Sequence, residues 1–220
     1  MKIPLWIEAS RLRVLVFGGG SVGTRRAKFF ASAGASVRVL TREATPELRE
    51  AGVDIKLVDL YHYDPAGDVE WADVVVIAVN DPALAERLFK IAEAAGKLVN
   101  DATDASRTHV VVPYERAVSG LRVAVTSEGA AGAPARLSLD IIENCLKNSW
   151  IPAFYEVYRE LKKEAKEAIG DVKTRLKFYQ ALSEDAEFLD HVKNGRIQEA
   201  LARGRRIMGD LLSAGRQPSP

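Results

Sequence analysis

Cysteine occurs once in the 220 residues, at Cys145, and histidine three times. A single cysteine excludes an intrachain disulfide and the cysteine clusters of structural zinc sites. It fits a reducing, cytoplasmic setting. Its neighbours Leu139, Ile141, Ile142 and Leu146 predict a buried, inert thiol on a helix. Long apolar runs are also lacking: none approaches a membrane span, and no leader pattern opens the chain, so a soluble protein with no membrane partner is expected. Charge of one sign is not in excess, with 31 Lys plus Arg against 30 Asp plus Glu. That balance removes any global reason to expect nucleic acid as a partner. The length allows a full core and a smaller appendage.

What is present is a glycine turn between two well-patterned segments. Val14-Leu15-Val16-Phe17 is apolar and β-branched, Gly18-Gly19-Gly20-Ser21-Val22-Gly23 follows, and Thr24 onward is polar and alanine-rich. The pattern predicts strand, phosphate loop and helix, with a second strand from Ser36 to Leu40. In that arrangement Gly18 allows the tight turn, Gly20 lets the backbone approach a pyrophosphate, and Gly23 lets the helix pack close to the strand. The helix N-terminus then offers its free amides to the phosphate. Many NAD sites place a ribose-binding acid at the end of the second strand, whereas this chain reads Leu40-Thr41-Arg42-Glu43. Arg42 suits the 2′-phosphate of NADP, or it is a solvated arginine beside NAD; NAD is the favoured expectation, with NADP as the alternative.

Further along, a lead-in around Pro4 to Ile7 is expected to pack beside the first strand, and a helix to cover about Val22 to Ala33. Pro46 to Ala51 predicts a short helix, Asp54 to Val58 a strand, and the stretch with Pro65 and Gly67 a tyrosine-rich loop. Asp73 to Val79 is continuously apolar, as expected of a strand buried on both faces. Asp81 and Pro82 suit the cap and first position of a helix over Ala83 to Ala95. Strands are expected at Lys97 to Asn100, Thr108 to Val112 and Leu121 to Thr126, extending a doubly wound sheet. After Leu137 only helical patterns remain: Ser138 to Lys147, Ala153 to Ile169, Asp171 to Leu182, Asp185 to Lys193 and Arg196 to Leu212. A loose tail is expected from Ser213. The fold class is therefore α/β, a Rossmann-like parallel sheet followed by a small helical domain. Its ligand would lie where the loops after residues 17, 40, 79 and 100 gather at the carboxyl ends of the strands.

Five groups of residues carry a more specific likeness: Pro4-Leu5-Trp6; Val16 to Ala27; Ala78-Val79-Asn80-Asp81; Leu98-Val99-Asn100-Asp101 with Pro113; and Ala135-Arg136-Leu137. In order and spacing they resemble the siroheme-branch precorrin-2 dehydrogenases, some of which are also sirohydrochlorin ferrochelatases. The resemblance covers about the first 145 residues. It implies a dinucleotide domain over 1–114, a dimerisation segment over 115–149 and a helical domain over 150–220, hence a homodimer with its active site in a cleft. It also implies contacts of Gly18, Gly20, Ser21, Val22 and Gly23 with the pyrophosphate, and of Arg42, Glu43, Asn80 and Asp81 with the rest of the cofactor.

The family's aspartate, three residues beyond the Val-Asn pair, falls here on Thr103. Asp101 and Asp104 flank it and are equal candidates for the catalytic base, with His109 in second line. A further departure lies in Ser127 to Pro134, where Ala131-Gly132 replaces the usual Ser-Pro. Arg107, Arg116 and Arg136 are the expected contacts for the carboxylates of a tetrapyrrole, because guanidinium groups bind carboxylates in bidentate geometry. The implied reaction is NAD-dependent oxidation of precorrin-2 to sirohydrochlorin. Insertion of ferrous iron is left open, and no resident protein metal site is expected. The alternative function is an NAD(P)-sensing regulatory module that binds without turnover.

Overall fold

The structure, a computed structural model, describes residues 2–214. The described residues divide into two compact units, one formed by residues 2–112 with 126–132 and the other by 113–125 with 133–214. Among the described residues no helix is long and apolar enough to cross a membrane.

The first unit alternates strand and helix: β1 (Arg13–Phe17), α1 (Ser21–Ser32), β2 (Ser36–Thr41), α2 (Pro46–Arg49), β3 (Asp54–Leu57), α3 (Ala66–Trp71), β4 (Val74–Ile77), α4 (Pro82–Ala94) and β5 (Leu98–Asp101). All five strands are parallel, in the order β3-β2-β1-β4-β5. Alternate side chains of one strand enter opposite cores. Val14 and Val16 meet Ala27, Phe30 and Leu48 beside α1 and α2, while Leu15 and Phe17 join Val75, Ile77, Leu84 and Leu88 beside α4. This double burial explains why β1 and β4 read as unbroken apolar runs. The strand order reverses between β1 and β4, which places a switch point beside the glycine loop.

The second unit begins with the antiparallel hairpin β6 (Tyr114–Val118) and β7 (Leu121–Val125), whose central residues Ser119 and Gly120 both have positive φ, as a tight type I′ turn demands. Helices α5 (Gly132–Lys147), α6 (Ile151–Ala168), α7 (Val172–Glu184), α8 (Ala186–Lys193) and α9 (Ile197–Ala214) follow. Leu161, Phe178, Leu182, Phe188 and Val192 are fully buried in the core of the last four.

Six expectations need correction. The segment Ile3 to Ile7 does not pack away its apolar side chains: Ile3, Leu5, Trp6 and Ile7 are exposed. Thr108 to Val112 forms no strand; His109 and Val110 both donate their amides to the Val99 carbonyl, covering the edge of β5 without forming a ladder. β6 and β7 make a separate ribbon and do not extend the parallel sheet. Within the loop with Pro65 and Gly67, the helix α3 forms around the buried Asp68 and Val69. Cys145 is exposed, because α5 buries Ala135 and Leu139 and turns Ile141 and Cys145 outward. Of the expected tail, Ser213 and Ala214 belong to α9, and 215–220 lie outside the described residues.

A candidate dinucleotide site at the carboxyl rim of the sheet

Each glycine of the loop has a separate steric reason. Gly18 has a φ of +101° and is wedged against the Ala78 backbone, where a β-carbon would overlap the carbonyl. A β-carbon on Gly23 would overlap the Gly18 carbonyl, so α1 starts directly against the turn. Gly20 differs: nothing lies within 4 Å of its absent side chain. As the N-cap of α1 it makes no side-chain cap bond, leaving the first amides of a 12-residue helix without a side-chain partner. That arrangement fits a pyrophosphate, with Ser21 and Val22 at the first helical positions.

Sequence reading missed the residues that hold this loop. The Gly19 amide donates to Thr41 Oγ1 (3.0 Å), and Thr41 Oγ1 donates to the Glu43 carbonyl (2.8 Å). From α1, Thr24 Oγ1 donates to the Gly19 carbonyl (3.1 Å) and lies 3.1 Å from Thr45 Oγ1. Three threonine hydroxyls thus fix the loop to the end of β2. A useful signal was a polar, β-branched residue ending an otherwise apolar strand.

Of the other cofactor candidates, Arg42, Glu43 and Asn80 are exposed at the same rim. Asp81 caps α4, accepting from the Leu84 amide at 2.8 Å, and its second oxygen accepts from the Tyr61 hydroxyl, also at 2.8 Å. Those bonds, the backbone one foremost, hold the Asp81 carboxyl below its ordinary range.

The turn after β5 gathers Asp101, Asp104 and Arg107 and adds Glu86 from α4. Asp101 is buried, and its Oδ1 accepts from the Thr103 amide (2.8 Å), the Thr103 hydroxyl (2.6 Å) and the Asp104 amide (3.2 Å). Its Oδ2 lies 2.8 Å from Arg107 Nη2 in an ion pair without hydrogen-bond alignment. Asp104 is more open: its Oδ1 accepts from the Ser106 amide (2.9 Å) and hydroxyl (2.6 Å), and its Oδ2 lies 3.5 Å from Arg107 Nε. The Ser106 hydroxyl leads in pulling the Asp104 carboxyl below its usual value. Arg107 also pairs with Glu86 and stacks 5.4 Å from the Phe89 ring. Burial pulls its pKa down, but Asp101, Glu86 and Asp104 outweigh that effect.

His109 is exposed, yet its Nδ1 accepts from the Val99 amide at 3.3 Å, engaging the open edge of β5. In the same unit, a β-carbon at Gly129 would lie 2.8 Å from Ala105 Cβ. The two loops that depart from the family pattern therefore touch. Arg116 and Arg136 belong to the second unit, where both pair with Asp140 at 3.4 Å and Arg116 also reaches Glu143 at 3.2 Å.

A parallel sheet with a switch point, a glycine loop and an uncapped helix N-terminus defines a Rossmann-type nucleotide-binding protein. Residues 5–114 match the family described as "Putative NAD(P)-binding". The chain belongs to this NAD(P)-binding family, and its cofactor class is a nicotinamide dinucleotide. The siroheme synthase of Ectopseudomonas mendocina is 31% identical over 211 residues, covering 96% of this chain and 43% of the relative. That of Mannheimia succiniciproducens is 26% identical over 197 residues, covering 90% and 41%. The chain thus spans about two-fifths of the length of these relatives. The solved structure of "SirC, precorrin-2 dehydrogenase" has the same fold, with a TM-score of 0.66 at 19% identity, covering 96% of this chain and 99% of that one.

Proposed function

We propose that the protein is a dehydrogenase that oxidises precorrin-2 to sirohydrochlorin with NAD. The observation that carries this reading is the likeness to a siroheme synthase at 31% identity across 96% of the chain, helical unit included. The five groups of family residues and the open face at Gly20 support it. NAD supplies the hydride acceptor when bound, with Gly18, Gly20, Ser21, Val22 and Gly23 at the pyrophosphate and Arg42, Glu43, Asn80 and Asp81 beyond it. Preference for NAD over NADP is the reading in which the exposed Arg42 does not clamp a 2′-phosphate. The test is anaerobic turnover with each cofactor separately. Faster turnover with NAD supports the assignment, and turnover with NADP alone overturns it.

Loss of a hydride from precorrin-2 must be accompanied by loss of a proton. Asp104 is the proposed acceptor: of the two flanking aspartates it has the accessible carboxylate, 43% exposed against 0% for Asp101. Asp101 is assigned to hold the turn, with Arg107 bracing it from the other side. Arg116 and Arg136 are the proposed contacts for substrate carboxylates. Asp104→Asn is expected to lower kcat about 100-fold with the cofactor Kd unchanged. Because Ser106 helps hold the Asp104 carboxyl low, Ser106→Ala should raise the pKa on the acid limb of the rate profile. An unshifted limb in Ser106→Ala, or full activity in Asp104→Asn, would remove Asp104 from the role.

The homodimer is assigned to the segment 115–149. Leu137 and Ile141, one helical turn apart on α5, are 52% and 71% exposed, and Ile142 is also open. An apolar stripe of this kind is suited to an interface with a second copy. Ile141→Glu is expected to convert the dimer to monomer in sedimentation at micromolar concentration. A wild-type chain that sediments as a monomer would overturn the assignment.

A further inference from the structure

Tyr61 lies in the turn between β3 and α3, yet it reaches the same rim. The turn is anchored at several points. Asp59 Oδ1 accepts from the Tyr61 amide at 3.1 Å, the neighbouring Leu60 is buried, and Arg87 of α4 donates to the Leu60 carbonyl. The Tyr61 hydroxyl donates to Asp81, whose other oxygen is committed to the α4 cap. That bond raises the hydroxyl's pKa and keeps it a donor. The side chain is fixed at both ends while the residue stays 44% exposed. An exposed aromatic held this firmly needs a reason, since the ring gains little from burial.

The reason offered by the geometry is Arg42. Its guanidinium carbon lies 5.5 Å from the Tyr61 ring centroid, within cation–π range. Among the described residues Arg42 makes no ion pair, so Tyr61 is the contact that orients it. Tyr61 lies to one side of the exposed Arg42 guanidinium, a planar group suited to stacking with a second planar group.

Resting on the dinucleotide reading above, we infer that Tyr61 is a positioning residue that sets Arg42 as a flat platform for the adenine ring of the cofactor. Arg42 then serves as a stacking surface and not as a clamp for a 2′-phosphate. The Asp81–Tyr61–Arg42 chain links that platform to the start of α4 and, through Asp81, to the end of β4.

The experiment is calorimetric titration of the full chain with NAD+, NADP+ and ADP-ribose. Tyr61→Leu is expected to weaken all three about fivefold, the upper size of an exposed cation–π contact. Tyr61→Phe keeps the ring and should recover most of that loss. Arg42→Lys keeps the charge but not the plane, and should weaken NAD+ and ADP-ribose about as much as Tyr61→Leu does. Thermal midpoints of the variants should stay near the wild type, since Tyr61 is exposed. Unchanged NAD+ affinity in Tyr61→Leu would overturn the inference, as would a loss confined to NADP+ in Arg42→Lys. A wild-type chain that binds none of the three ligands would overturn the dinucleotide reading itself, and the inference with it.

Discussion

Gly23→Ala is expected to lower NAD+ affinity about 100-fold, because the added methyl group must displace either the start of α1 or the Gly18 carbonyl. Neither is a flexible side-chain end that can swing away. Gly18 is held by its own bond to the Leu40 carbonyl (2.9 Å) and by contact with Ala78. Overpacking of this kind costs up to about 3 kcal/mol, and a loop that relaxes to escape it no longer aims its amides at a phosphate. A free-energy loss of that size corresponds to about two decades in Kd. Gly20→Ala separates binding from folding. Its methyl group meets no protein atom within 4 Å and its φ of −71° suits alanine, so stability should hold while affinity falls. Calorimetric titration beside thermal unfolding measures both quantities. NAD+ affinity unchanged in Gly23→Ala would show that the loop does not bind the cofactor as described.

The second large effect lies away from the rim. Asp68 is 3% exposed and accepts from Arg38 Nη1 (2.6 Å), Lys56 Nζ (2.8 Å) and the Tyr63 hydroxyl (2.7 Å). Arg38 also bonds to Asp54 at 2.8 Å and stacks 4.3 Å from the Trp71 ring. One carboxylate therefore joins β2, β3 and α3. Asp68→Ala leaves Arg38 and Lys56 beside each other without their shared partner and should cost about 3 kcal/mol in urea unfolding. Burial alone would push the Asp68 carboxyl up, but hydrogen bonds from Lys56, Tyr63 and Arg38 outweigh it and hold the folded value below the ordinary one. A lowered folded pKa means that the stabilisation is fully present above the unfolded value of about 3.9 and is lost as pH falls through the folded value. The stability gap between wild type and variant should therefore close on acidification below about pH 4. A gap below about 1 kcal/mol at neutral pH, or one unaffected by acid, would contradict this role.

Asp68 also illustrates what the sequence could not convey. The first five strands, the glycine turn and the Asp81–Pro82 start of α4 are written in local patterns, and each forms where those patterns place it. α3 is only six residues long, too short to show a helical period, and its Asp68 sits in a network that reaches back to Arg38 and Lys56. The run Thr108 to Val112 failed differently. Its β-branched composition suits a strand, but Thr108 Oγ1 instead donates to the Asp101 carbonyl at 2.8 Å and accepts from the Asp101 amide at 3.0 Å. A short apolar run does not distinguish a ladder from a segment laid along an edge.

The candidate site was legible to the same degree. The steric roles of Gly18 and Gly23 follow from spacing, whereas the Gly19–Thr41 and Thr24–Thr45 braces and the Glu86–Arg107 pair join positions about 20 residues apart. Asp101 and Asp104 look equivalent in sequence. Only burial separates them, one closed inside the turn and one open at its surface.

The proposed activity is tested most simply by an anaerobic reaction of freshly prepared precorrin-2 with this protein and NAD+, following sirohydrochlorin formation and nicotinamide reduction in the same sample. Sirohydrochlorin and reduced nicotinamide are expected to rise together in equimolar amounts, and both to slow sharply in Asp104→Asn. Binding of NAD+ with neither product formed would contradict that activity and leave a nucleotide-sensing module as the reading that fits.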